Sequence, residues 1–147
     1  MTAAALAAAI AAALGGTPNF PAAIRTELDL AAAARTGIAA AAAGRVVDNG
    51  LLSADELYAL VIPRRTYDRR REDGQPLTVA ESDRLLRVVR VAIRAADALG
   101  DPARGAQWLR SPNRALQGAA PLSLLDTDIG ARLVEQALGR IEHGVYS

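Results

Sequence analysis

The sequence predicts an all-α protein, and three observations carry that prediction. Apolar residues make up 51% of the 147 positions, yet aromatic ones only 3%. Alanine dominates the apolar set, a composition that favours helix over sheet. Apolar residues recur at helical spacing, and no stretch reads as a convincing strand. Helix start and stop signals punctuate the chain: Ser, Thr or Asp at entries, Gly or Asn-Gly at exits.

Residues 1–35 read as an Ala-rich N-terminal arm, a loose helix or a partly disordered stretch, broken by Gly15, Gly16, Pro18 and Pro21. Leu6, Ile10 and Leu14 recur at i, i+4 and i+8, enough for a short amphipathic helix. The opening lacks basic residues, and its apolar run of about 14 residues is too short to span a bilayer. A soluble, cytoplasmic protein with no membrane partner is expected.

A helix follows from about Ile38 to Asp48, stopped by Asn49 and Gly50. Ser53 with Glu56 forms a capping box and opens a helix through Leu57, Leu60 and Val61. That helix stops at Pro63, whose ring disfavours helical geometry in the residue before it. Pro63 also suits the first turn of the next short helix, from Arg64 to about Asp73, closed by Gly74. A short helix, a tight turn and a second short helix loaded with arginine outline a helix-turn-helix. Ile62 and Tyr67 supply its apolar anchors.

Thr78 and Glu81 make another capping box, and the longest helix runs on to about Leu99. Its core face carries Leu85, Val88, Val89, Ala92, Ala96 and Leu99. Gly100 ends it, and Asp101-Pro102 opens a helix carrying Trp108 and Leu109, with Trp108 read as core. Ser111-Pro112 repeats the device for a short helix or turn. A final helix runs from about Asp128 to Ile141, with Val134, Ala137, Leu138 and Ile141 inward. Asp126 and Asp128 suit the positive end of that helix rather than a catalytic pair. The expected organisation is an arm over 1–35, a helix-turn-helix domain over 36–75 and a small helical domain over 76–147.

Chemistry narrows the function. There is no cysteine, hence no disulfide, thiolate metal site or thiol nucleophile, and His143 is the only histidine. No catalytic constellation is recognisable; neither enzyme activity nor a cofactor or metal is expected. All 17 basic residues are arginine, and nine lie between Arg64 and Arg94 against five acids, a local excess of four. Such a block in a near-neutral chain is the footprint of a nucleic-acid contact, or of a solvated helix face. In a helix-turn-helix the start of the second helix enters the major groove. That places Arg64, Arg65 and Thr66 nearest the bases, with Arg69 and Arg70 a turn further on. Arginine can pair with guanine or grip phosphate, and only the first reads sequence. Arg84, Arg87, Arg90 and Arg94 share a stripe about 120° wide on the long helix. This rail is expected to face DNA flanks, an acidic partner, the nearby Glu81 and Asp83, or solvent.

Two stretches carry a resemblance to a known family. PRRTYDRRREDGQPLTVAESDRLLRVVRVA resembles the helix-turn-helix and junction of the Xre/MbcA/ParS antitoxins. WLRSPNRALQGAAPLSLLDTDIGARLVEQALGRIEHGVY resembles their C-terminal toxin-binding domain. The segments ESDRLLR, WL-x-x-PN-x-AL, PL-x-LLDT-x-x-G and R-IEHGVY stand in the family's order and spacing. The likeness covers roughly residues 36–147 and leaves out the arm. It implies a non-enzymatic type II antitoxin whose partner is a RES-domain toxin acting on NAD. Such toxins either break NAD down or transfer its ADP-ribose to a protein, and the antitoxin covers the NAD pocket largely with its C-terminal region. Operator DNA and self-repression complete the implied role. A homodimer is expected, since helix-turn-helix proteins usually read paired half-sites. A stand-alone transcriptional regulator is the alternative, but it leaves the C-terminal motifs without a purpose. On this reading toxin contacts fall on His143, Gly144, Val145, Tyr146 and Ser147. A chain end bearing an aromatic suits a concave pocket, a frayed terminus being the other reading.

Overall fold

In the computed structural model, which describes residues 1–144, eight α-helices follow one another with three short 3-10 turns between them. The all-α class is as predicted. Among the described residues the β pairing is a single antiparallel bridge between Ala39 and Pro76. Packing divides the chain into two units, Met1–Val89 and Arg90 onward.

The first unit begins with α1 (Ala3–Ala13), whose start is capped by the Thr2 hydroxyl accepting from the Ala5 amide. Leu6, Ala7, Ile10 and Leu14 are buried. Gly15 and Gly16 then reverse the chain at φ values of 96° and 74°, a backbone region that glycine enters cheaply. Helix α2 (Glu27–Thr36) opens with a capping box between Thr26 and Asp29. Amides of Arg25 and Thr26 both donate to the Asp29 carboxylate and hold it below its ordinary pKa. The stretch 1–35, set apart above as an arm, therefore holds packed elements. Three aliphatic side chains on one face of α1 give it something to bury. The Asn49 side chain ties the end of α1 down by donating to the Ala13 carbonyl at 2.9 Å.

Helices α3 (Ala41–Asp48), α4 (Ala54–Leu60) and α5 (Arg64–Glu72) follow, and then α6 (Val79–Leu99), the longest. Ile38, Val46, Leu57, Ile62, Leu77, Leu85 and Val88 have essentially no exposure and form the core of this unit. Each such side chain contributes about 1.5–3 kcal/mol through burial.

The second unit takes the last turns of α6, then α7 (Pro102–Arg110) and α8 (Asp128–Glu142), with two 3-10 turns between. Asp101 and Thr127 cap the two new helices by accepting from Arg104 and Gly130 amides at 3.0 Å each. Two glycines set the packing. A Cβ on Gly105 would stand 2.6 Å from the Ala96 nitrogen, so α7 lies backbone to backbone on α6. A Cβ on Gly130 would overlap the Leu124 carbonyl oxygen. Val91, Ala95, Leu109, Leu125, Val134 and Leu138 fill the core.

Several expectations change in detail. The division by packing falls within α6, at Val89–Arg90. Because α6 feeds the core of each unit in turn, Val91 and Ala95 are buried as well, while Ala96 and Leu99 are only half-buried. Ile141 and Trp108 are half-buried too, whereas Leu109 takes the inward place. Of the short helix or turn expected after Ser111-Pro112, the structure forms a 3-10 turn over Arg114–Leu116. Asn113 accepts from the Ala115 amide at 2.9 Å and caps that turn, because its short amide side chain competes for the backbone donor. Among the described residues, no helix is long and apolar enough to cross a membrane.

Candidate functional site

The site is built on α4, a three-residue turn and α5. Ser53 and Glu56 form their capping box at 2.9 and 3.1 Å and start α4. Val61 and Ile62 then plunge into the core, and Pro63, at φ −58°, sets the chain for α5. The turn is fixed from α6, where Arg84 Nε donates to the Val61 carbonyl at 2.8 Å. A carbonyl freed at a helix end thus finds a charged donor, which stabilises the angle between the two helices.

Helix α5 has two unlike faces. On the inner one, the Tyr67 ring lies 6.5 Å from that of Tyr58, and its hydroxyl accepts from Arg71 at 3.0 Å. Gly44 of α3 leaves room for that hydroxyl; a Cβ there would stand 2.5 Å from it. Arg70 also turns inward, and its guanidinium grips both oxygens of Glu81, which is only 6% exposed. The same carboxylate accepts from the Thr78 amide at 2.9 Å, completing the capping box of α6. Burial pushes the Glu81 carboxyl up, but the hydrogen bonds from Arg70 and Thr78 outweigh it and leave the pKa below its ordinary value.

The outer face of α5 is open. Arg64, Arg65 and Arg69 are exposed, with Asp68 and Glu72 among them and half-buried Thr66 at the edge. Arg64 sits 3.9 Å from Asp68, a loose pair in full solvent. Arg65 and Arg69 have no partner among the described residues. Of the five residues singled out on this helix, the structure therefore gathers Arg64, Arg65 and Arg69 on one open face. Arg70, half-buried, turns instead to Glu81, which offers it two oxygens.

The arginine rail of α6 is likewise no open surface. Arg84 holds the turn, and Arg87 pairs with Asp83 at 2.9 Å with its side chain only 12% exposed. Arg90 and Arg94 both bind Glu135 of α8, at 2.6 and 3.2 Å, and Arg94 also reaches Glu142 at 3.4 Å. Sequence reasoning missed Glu135 and Glu142 as acceptors. Their spacing of seven on α8, which puts both on one helix face, was the available signal.

Among its described residues the second unit offers an apolar feature. Ile129 and Leu133, one turn apart on α8, are 70% and 45% exposed. At the end of α8, His143 is exposed with Nδ1 2.7 Å from the Gly139 carbonyl oxygen. Gly144 takes φ 73°, which stops the helix. Val145, Tyr146 and Ser147 lie outside the described residues.

Residues 29–90 match the antitoxin Xre-like helix-turn-helix domain, and residues 94–144 match the antitoxin Xre/MbcA/ParS C-terminal toxin-binding domain. The chain is similar to an antitoxin Xre of Yersinia enterocolitica, 41% identical over 95 residues. That stretch covers 64% of each protein, so the chain spans just under two thirds of this relative. An antitoxin Xre of Pseudomonas putida is 35% identical over 108 residues, 74% of this chain and 67% of its own. A protein of Sphingobium named Prs ADP-ribosylating antitoxin is 30% identical over 98 residues, covering 60% of this chain and 62% of its own. The first match takes in α4, the turn and α5, and the second takes in α7 and α8. With both domains in family order and that extent of likeness, the chain belongs to the Xre/MbcA/ParS antitoxin family.

Proposed function

We propose that this chain is the antitoxin of a type II pair, neutralising a RES-domain toxin through its C-terminal unit and repressing its own operon through α5. The observation that carries the reading is the match of residues 94–144 to a toxin-binding domain directly behind a helix-turn-helix domain. The name of the Sphingobium relative supports NAD-derived ADP-ribose as the toxin's currency; NAD breakdown and ADP-ribose transfer both fit. Neutralisation needs no chemistry from the antitoxin. A segment seated in a dinucleotide cleft excludes the substrate by occupying its volume.

Two features of the second unit support contact with a protein. Ile129 and Leu133 offer an apolar anchor of the kind that docking removes from water. Gly144 ends α8 at φ 73°, and we assign His143, Gly144, Val145, Tyr146 and Ser147 to the toxin's cleft. Operator contact falls to Arg64, Arg65, Thr66 and Arg69. Arg70, held by Glu81, positions the helix instead.

The test is co-expression with the RES-domain product of the adjacent reading frame, following growth and NAD level. The full chain should protect, and deletion of residues 144–147 should leave the fold and DNA binding intact while abolishing protection. Protection by the truncated chain would move neutralisation to the body of the unit. Failure of the full chain to protect would overturn the antitoxin reading.

A further inference from the structure

The N-terminal stretch and the end of α5 enclose a cleft that none of these roles uses. It measures about 380 Å³ and lies wholly within the first unit. Pro18, Phe20 and Pro21 line it from the N-terminal stretch; Arg71, Gln75 and Pro76 line it from α5 and the link to α6. Residues 18–21 fall outside the stretch 29–90 that matches the helix-turn-helix domain, so the cleft is made by an addition to that domain.

The walls are fastened by the chain itself. The Asn19 carbonyl accepts from the Ala39 amide at 3.0 Å, and the Asn19 side chain donates to the Leu14 carbonyl at 2.7 Å. The Leu77 amide donates to the Ile38 carbonyl at 2.8 Å and holds the link beside the same stretch. Proline at positions 18, 21 and 76 fixes the backbone at three points and presents apolar rings. The polar groups are cationic. Arg70 and Arg71 are the charged residues of the lining, and Glu81 matches the first of them. Arg71 meets no carboxylate among the described residues. Neutral groups aim it instead: it donates to the Tyr67 hydroxyl at 3.0 Å, with its guanidinium carbon 5.9 Å from the centre of that ring.

We propose that this cleft binds a small organic anion, a carboxylate carried on a flat apolar body. A guanidinium grips a carboxylate through two parallel hydrogen bonds, and Arg71 has donors to spare for both. Proline rings and the buried Phe20 suit the apolar body. The volume and the mix of apolar wall with a few polar groups are those of a small-molecule site. Such an occupant ties the N-terminal stretch to the last turn of α5. The site rests on neither the DNA nor the toxin reading, and its test uses neither.

Benzoate is the probe, with benzamide as its uncharged counterpart and acetate as its ringless one. Titration into the isotope-labelled full chain, followed by nuclear magnetic resonance, should shift the amides of Ala41, Gly74 and Gln75. A dissociation constant on the order of 1 mM is expected for so small a molecule. Benzamide, acetate and inorganic phosphate should each bind about tenfold more weakly. Arg71→Ala should weaken benzoate by about the same factor, and Arg71→Lys by less. Ala41→Leu, which fills the cleft, should also exclude it. Arg35→Ala, exposed and outside the lining, should bind benzoate as the parent does. Arg71 is exposed, so its variants decide the matter should Ala41→Leu perturb α3. No shift at a tenfold excess over the expected constant, or equal binding by Arg71→Ala, would overturn the proposal. Phosphate bound as tightly as benzoate would overturn it too, by reducing the cleft to a bare patch of charge.

Discussion

Arg70 and Glu81 meet as a fork, with Nε 3.0 Å from Oε1 and Nη2 3.1 Å from Oε2. The pair joins the last turns of α5 to the first turn of α6. Since Glu81 also accepts from the Thr78 amide, one carboxylate both starts α6 and anchors α5 to it. The angle at which α5 is presented depends on this junction.

Removing the guanidinium leaves the largely buried Glu81 carboxylate with only the Thr78 amide. Arg70→Ala should therefore lower the urea midpoint, followed by circular dichroism. Arg70→Lys should recover only part of the loss, because a single ammonium cannot hold two oxygens in the same plane. Equal stability of all three proteins would mean that the fork contributes nothing.

The same carboxylate predicts a pH dependence. Its folded pKa lies below the ordinary 4.5, so on acidification the unfolded chain takes up the proton first. The stability it supplies is present above about pH 4.5 and is lost as the pH falls below that value through the lower folded one. Asp29, also lowered, adds to the trend in the same direction. Glu81→Gln should be less stable at neutral pH and should flatten the acid limb of a melting-temperature series.

Arg65 and Arg69 are the free guanidiniums of α5. Replacing either with alanine should weaken binding to the DNA upstream of the gene by about 1–3 kcal/mol if the contact is to a base edge. A phosphate contact should instead lower the salt dependence by about one ion for each arginine removed. Melting temperatures should not move. Fluorescence anisotropy on the promoter fragment separates the cases, and unchanged affinity after both replacements would exclude α5 as the reading helix.

Ile129→Ala and Leu133→Ala should each weaken toxin binding by about 1–2 kcal/mol. Both side chains are exposed, so stability should stay within about 0.5 kcal/mol of the parent. Calorimetric titration of the purified toxin checks the first statement, and thermal melting checks the second.

Helix starts were legible because a cap is a local device. Ser53 with Glu56, Thr78 with Glu81, and Asp101 before Pro102 all start the helices expected of them. Thr26 and Asp29 offered the same signal for α2, but the Gly and Pro residues before them gave the stretch the composition of a linker. Acceptors for the arginine rail were not legible. Helical periodicity says which side chains share a face, whereas Glu135 stands 45 residues from Arg90 and meets it only after α8 has packed. Arg70 shows the same limit on a smaller scale, since its partner lies one loop away. A basic helix read from sequence shows every arginine as available, and the fold then withdraws those for which it supplies a carboxylate.

Gly44 and Tyr67 divide a single space, and that has a consequence for how this lineage can drift. Glycine in the middle of α3 costs about 1 kcal/mol relative to alanine, so a mutation to alanine would otherwise be welcome. The Tyr67 hydroxyl blocks it. Loss of that oxygen opens the route, because the nearest remaining ring atom, Cζ, would stand 3.7 Å from the new methyl, an ordinary contact. The permitted order is then Tyr67→Phe first and Gly44→Ala second. Relatives with alanine at the first position should carry phenylalanine or a smaller residue at the other, and the reverse succession should pass through a destabilised protein whose Tyr67 side chain has had to shift.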